Sequence, residues 1–167
     1  MVRLYKPDMT ALQLKTLLTL YTNPLETDVN IGKMVFADSS NIQYTLAKMG
    51  YTEPRLQTFC ALGYINLPDV MPRTAQRMVN SILLAMQHMP CGTMQQFALI
   101  TGYTYHSTVM SVRKTYNYFD IPLHPSRNHR TRLGFYAHMG WFDTERLARD
   151  AKLQYDAIQE MSHARTI

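Results

Sequence analysis

The sequence predicts a mainly α chain with small β-hairpins, laid out as two helix-turn-helix-like modules followed by a C-terminal helix. Three observations carry this reading. Apolar residues recur at spacings of three and four over most of the chain, the tripeptide Gly-Tyr-Thr occurs twice between such segments, and a short β-rich stretch follows the second helix of each half. At 167 residues, 46% hydrophobic and 17% charged, the chain suffices for one ordinary domain or two small ones sharing a core. That composition excludes disordered, collagen-like and coiled-coil chains.

The elements follow in order. TALQLKTLLTLY (10–21) carries an apolar helical stripe, and GKMVFA (32–37) reads as a short strand. LAKM then precedes Gly50-Tyr51-Thr52, and PRLQTFCAL (54–62) places Leu56, Phe59 and Cys60 on one helical face before a strand-like GYINL (63–67). The second half repeats the order. RTAQRMVNSILLAMQHM (73–89) is a helix, FALIT precedes Gly102-Tyr103-Thr104, and YHSTVMSVRKTYNY (105–118) sets Val109, Val112 and Tyr116 on one face. Glycine after a helix supplies a left-handed residue, and threonine two positions on can cap the next helix, so each tripeptide reads as a tight turn between helices. Thr10/Gln13, Ser40/Gln43 and Thr93/Gln96 have the spacing at which side chain and backbone cap each other reciprocally. YFDIPL (118–123) and LGFYAHMGWF (133–142) flank HPSRNHRTR and read as a hairpin with a basic tip. Asp143 is an expected N-cap for a final helix whose stripe is Leu147, Ala151, Tyr155 and Ile158. That stripe packs on its own domain or pairs with a second copy, giving a homodimer.

Three segments result: 1–68, 69–142 and 143–167. Their formal charges are +1, +5 and −1, so the excess of 17 basic over 12 acidic residues lies in the middle segment. There Arg113, Lys114, Arg127, Arg130 and Arg132 face one acid, Asp120, a balance that favours polyanionic partners. The first module offers Arg55 against Glu53 on its second helix, with Gln57 and Thr58 as polar positions, and reads as a packing and protein-contact unit or, alternatively, a weak DNA contact. MVRLYKPDMT has no apolar leader core, no apolar run approaches the roughly 18 residues of a spanning helix, and Cys60 and Cys91 read as buried reduced thiols. A cytoplasmic protein without a membrane partner is expected.

The order of helix, helix, turn, helix and hairpin over 73–142 resembles the winged helix-turn-helix family of DNA-binding modules. The likeness is most specific over FALITGYTYHSTVMSVRKTYNYFDIPL (97–123), where Ala98, Gly102 and Val109 match the family's small helix residue, turn glycine and buried valine. The interval from Gly102 to Val109 is one residue longer than the common pattern. Residues 9–67 look like a diverged copy without the long wing, so the chain resembles the tandem arrangement of some plasmid and phage regulators and replication initiators.

The resemblance implies two winged-helix-like modules and a helix 105–117 that enters the major groove of duplex DNA. Base edges are read by exposed hydrogen-bonding side chains near the start of such a helix. Tyr105, His106, Ser107, Met110 and Ser111 are the candidates for base contacts, and Arg113 and Lys114 for phosphates. On the hairpin tip, Arg127, Asn128, Arg130 and Arg132 suit phosphates or a narrow minor groove. Five such cations predict a log–log salt slope of about −4 to −5.

Enzymatic patterns are absent from the sequence. His88-Met-Pro-Cys91 lacks the second ligand pair of a zinc site, there is no phosphate-binding glycine loop, and acids are few and scattered, so neither metal nor cofactor is expected. The expected function is site-specific duplex DNA binding in transcriptional regulation of phage or plasmid type. Alternatives are an adaptor that docks on a host protein, and a replication initiator.

Overall fold

The computed structural model describes residues 11–25, 28–48, 55–123 and 130–164. Among them are nine helices: α1 (Ala11–Thr22), α2 (Asp28–Val35), α3 (Ser39–Lys48), α4 (Arg55–Ala61), α5 (Arg77–His88), α6 (Met94–Thr101), α7 (Tyr105–Tyr118), α8 (Arg132–His138) and α9 (Thr144–Ala164). The chain is therefore mainly α. The described residues hold no strand, only an isolated antiparallel bridge between Ile65 and Phe142.

All four segments read as strands are corrected, and the reason is largely shared. Gly63 (φ +82°) ends α4, the amide of Tyr64 donating to the carbonyl of Phe59 and that of Gly63 to Cys60. Gly140 (φ +79°) ends α8 with the same two bonds, from Trp141 to Tyr136 and from Gly140 to Ala137. These are left-handed helix stops whose flanking aromatics meet, Phe59 on Tyr64 and Tyr136 on Trp141. Aromatic richness around these glycines thus marks helix ends rather than strands. After α7 the left-handed residue is Asp120 (φ +51°), with Ile121 donating to Tyr116, so YFDIPL is a helix terminus followed by Pro122. GKMVFA lies in α2 and its stop. Phe36 holds the left-handed position (φ +58°) with its side chain exposed, and Ala37 donates to Gly32, where a Cβ would sit 2.4 Å from the Ala37 oxygen. Segment 133–142 is helical in its first half because Leu133, Phe135, Tyr136 and Met139 repeat at three and four without β-branched residues, and the Thr131 hydroxyl caps the start at Gly134 N. Residues 124–129 of the basic tip, the Gly50-Tyr51-Thr52 turn and Thr10 lie outside the described residues.

Packing divides the chain into two units, Met1–Tyr64 with Asp143–Ile167, and Ile65–Phe142. The C-terminal segment falls in the first unit. There α1 packs on α2, α3 and α9 around Leu17, Leu20, Ile31, Ile42, Leu46, Leu147, Ala151 and Ile158. Asp143 caps α9, its carboxylate accepting from Arg146 N at 3.0 Å. The α3 cap is Asp38, accepting from Asn41 N, rather than Ser40. Tyr64 donates to Asp150 Oδ2 at 2.6 Å beneath the Arg146 guanidinium, and burial together with that carboxylate raises its hydroxyl well above the ordinary value of 10. Arg55 and Thr58 are buried rather than displayed on the α4 surface.

Gln154, on the inner face of α9, is 5% exposed, and neither its amide nitrogen nor its oxygen has a hydrogen-bond partner among the described residues. A buried polar group left unpaired costs about 1–3 kcal/mol. Gln154→Met, which keeps length and removes the amide, is expected to raise stability by about 1–2 kcal/mol, or roughly 2–4 °C in melting midpoint per kcal/mol. Thermal unfolding followed by circular dichroism checks this, and an unchanged or lower midpoint would count against an unpaired amide.

In the second unit α5, α6 and α7 pack on one another pairwise. Helix α5 contributes Val79, Ile82, Leu83, Ala85 and Met86 to the core, and begins at Arg77 rather than residue 73. Asn80 holds the preceding segment by accepting from Thr74 N and donating to Thr74 O. Helix α8 inserts Phe135 and Tyr136, both fully buried.

Candidate nucleic-acid interface

The α6–turn–α7 element is built by local chemistry. Thr93 and Gln96 cap α6 reciprocally, Thr93 N donating to Gln96 Oε1 at 2.8 Å and Gln96 N to Thr93 Oγ1 at 3.2 Å. Gly102 ends α6 at φ +77°, its amide donating to the Ala98 carbonyl. A Cβ there would meet nothing within 4 Å, so backbone conformation rather than space selects glycine. Thr104 then caps α7 by accepting from Ser107 N at 3.1 Å. Tyr103 fixes the turn to α5, its hydroxyl donating to Ser81 Oγ, which donates on to the Arg77 carbonyl.

Helix α7 buries Thr108, Ser111, Val112, Thr115 and Tyr116. The three hydroxyls donate to the carbonyls four residues back, Thr108 to Thr104, Ser111 to Ser107 and Thr115 to Ser111, at 2.7–2.8 Å. Satisfied in this way, Ser and Thr pack as small apolar residues. The inner face is rotated from the one expected, and Val109 is half-buried while Val112 is the core valine.

This rotation sorts the expected contact residues. Tyr105, His106 and Met110 are exposed and Ser107 is half-buried at the start of α7. Ser111 is wholly buried and cannot reach a base edge, so it leaves the set. Arg113 and Lys114 are exposed, and the Lys114 ammonium lies 3.7 Å from Met78 Sδ, beside the turn of α5 that carries exposed Arg77. Arg77 was not singled out by sequence. Its signal was an isolated basic residue at the start of a helix.

The expected wing cations divide differently. Arg127 and Asn128 lie outside the described residues. Arg130 donates to the Ile121 carbonyl and Asn117 Oδ1, clamping the end of α7. Arg132 is a packing residue: it donates to the carbonyls of Pro90 and Gly92 and lies 4.4 Å over the Phe97 ring, its Nε buried. It is corrected from a phosphate contact to a staple.

Seven basic and two acidic residues fall in Ile65–Phe142, against ten of each in the first unit, so the whole +5 belongs to the unit that carries α7. Cys60 and Cys91 are partly exposed rather than buried. Among the described residues no group of three His, Cys, Asp or Glu is placed to hold a metal ion, and no helix is long and apolar enough to cross a membrane. Comparison with protein-family models, curated proteins and solved structures gives no match.

Proposed function

We propose that the second unit binds duplex DNA site-specifically, acting by occupancy as a transcriptional regulator. The observation that supports this reading is one capped, solvent-facing helix: α7 carries Tyr105, His106 and Met110 toward its start and Arg113 and Lys114 further along, on the unit that holds all the excess positive charge. Such a helix can place its first turns against base edges while basic side chains hold phosphates. With Arg130 and Arg132 committed to their own chain, the exposed cations among the described residues of this unit are Arg73, Arg77, Arg113 and Lys114, and the three on α5 and α7 give an expected salt slope on random duplex of about −3.

Fluorescence anisotropy with labelled random duplex, titrated over salt, tests this. Arg113→Ala combined with Lys114→Ala is expected to lessen the slope by about 2 and weaken all sequences alike. His106→Ala is expected to change sequence preference in a random-pool selection more than overall affinity. Binding that is insensitive to salt, or unaltered by the double substitution, would overturn the reading. A protein-docking role is favoured by one different feature, the exposure of Leu99 (84%) and Ile100 on the outer face of α6.

A further inference from the structure

A groove of 440 Å³ runs along the flank of α7, distinct from the row His106, Met110 and Lys114. Val109, Val112, Tyr116 and Leu123 form its apolar floor, and Arg113 and Arg130 stand at its rim. None of the described lining residues is acidic. The volume lies within the roughly 300–1,000 Å³ of small-molecule clefts, which join apolar walls to a few polar groups that orient the ligand. Arg130 is held by Asn117 and Ile121, whereas Arg113 is exposed and makes no hydrogen bond or ion pair with any described residue. An apolar lining beside a guanidinium with unused donors is complementary to a compact apolar body ending in a single anionic group, and a carboxylate is the planar group that a guanidinium grips through two parallel hydrogen bonds.

We propose that this groove binds a small apolar monocarboxylate, its body on Val109, Val112 and Tyr116 and its carboxylate on Arg113. The site goes beyond the DNA reading and its test uses no DNA, so either can fail without the other. The probe is 1-naphthoate, titrated into full-length protein with methyl-labelled valine and leucine and followed by NMR. Saturable shifts are expected at the Val109, Val112 and Leu123 methyls. Naphthalene-1-methanol, with the same body and no charge, is expected to bind at least about ten-fold more weakly, and Arg113→Gln to lose about ten-fold for naphthoate but little for the alcohol. Because Arg113 is exposed, that variant keeps the fold. The proposal is overturned if the shifts fall on other methyls, if acid and alcohol bind alike, or if Arg113→Gln binds naphthoate as the parent does.

Discussion

Replacing Phe135 with alanine should cost the second unit about 4 kcal/mol, a large part of the stability of a domain this size. Phe135 is fully buried on α8, and its ring centroid lies 5.3 Å from Tyr116, 6.0 Å from Phe119, 6.0 Å from Tyr136 and 5.7 Å from Trp141. Truncation leaves a cavity between four large rings that cannot all collapse into it, and it also removes an edge-to-face contact with Trp141 worth more than its buried area. Urea unfolding gives the energy. The near-ultraviolet circular dichroism of Trp141, the single tryptophan, gives an independent view of the cluster. A loss below about 1 kcal/mol, with the Trp141 signal intact, would mean that α8 does not insert here.

Arg132→Ala is expected to cost about 3 kcal/mol, although the residue carries a charge near the surface. The guanidinium bonds two backbone carbonyls, Pro90 at 3.2 Å and Gly92 at 2.9 Å, and covers Phe97, whose side chain is fully buried. Hydrogen bonds from charged donors contribute about 1.5–3 kcal/mol, and truncation leaves the Gly92 carbonyl without its donor, while Pro90 keeps only the Tyr136 hydroxyl. Arg132→Lys should rescue only part, because both bonds come from the single nitrogen Nη1, which an ammonium can imitate, whereas a compact ammonium has no planar face to lay over the Phe97 ring. Thermal melts of both variants decide the matter. If Arg132→Ala melted with the parent and yet lost DNA affinity, Arg132 would be a phosphate contact after all. On the expected result, loss of binding in that variant is a folding effect, and only Arg113 and Lys114 report on contact with DNA.

Much of the helical skeleton was legible from spacing and caps. The stripe of α1, the reciprocal Thr93/Gln96 cap, the Gly102 stop, the Thr104 cap and the Asp143 cap are local events whose chemistry is complete within a few residues. The wing was misread for an equally local reason. Glycine followed by a large aromatic occurs at Gly50-Tyr51, Gly63-Tyr64, Gly102-Tyr103, Gly140-Trp141 and, inside α8, Gly134-Phe135, and only the first and third were read as helix stops. At Gly63 and Gly140 the aromatic neighbours were counted as β-formers, whereas they are the residues that close the preceding helix.

The inner face of α7 was hidden differently. Thr108, Ser111 and Thr115 repeat at helical spacing as cleanly as any aliphatic stripe, yet a polarity scale assigns them to solvent. Their hydroxyls are silent in the core because each is used within its own helix. Of the candidate residues on α7, Tyr105, His106, Met110, Arg113 and Lys114 are exposed and Ser111 turns inward, while Arg132, on α8, packs over Phe97. The pairing of α1 with α9 left no trace in the order of residues, since nothing local tells one end of a chain that it will meet the other.

That pairing bears on ancestry and engineering. The amide of Asp143 donates to the carbonyl of Tyr64 at 2.8 Å, so the first unit's chain is cut and resumed at one spot. Residues 65–142 thus leave and rejoin the first unit at two adjacent points, the topology most tolerant of a cassette being gained, swapped or excised. The cassette holds all of the surplus charge, and the first unit is electrically neutral without it.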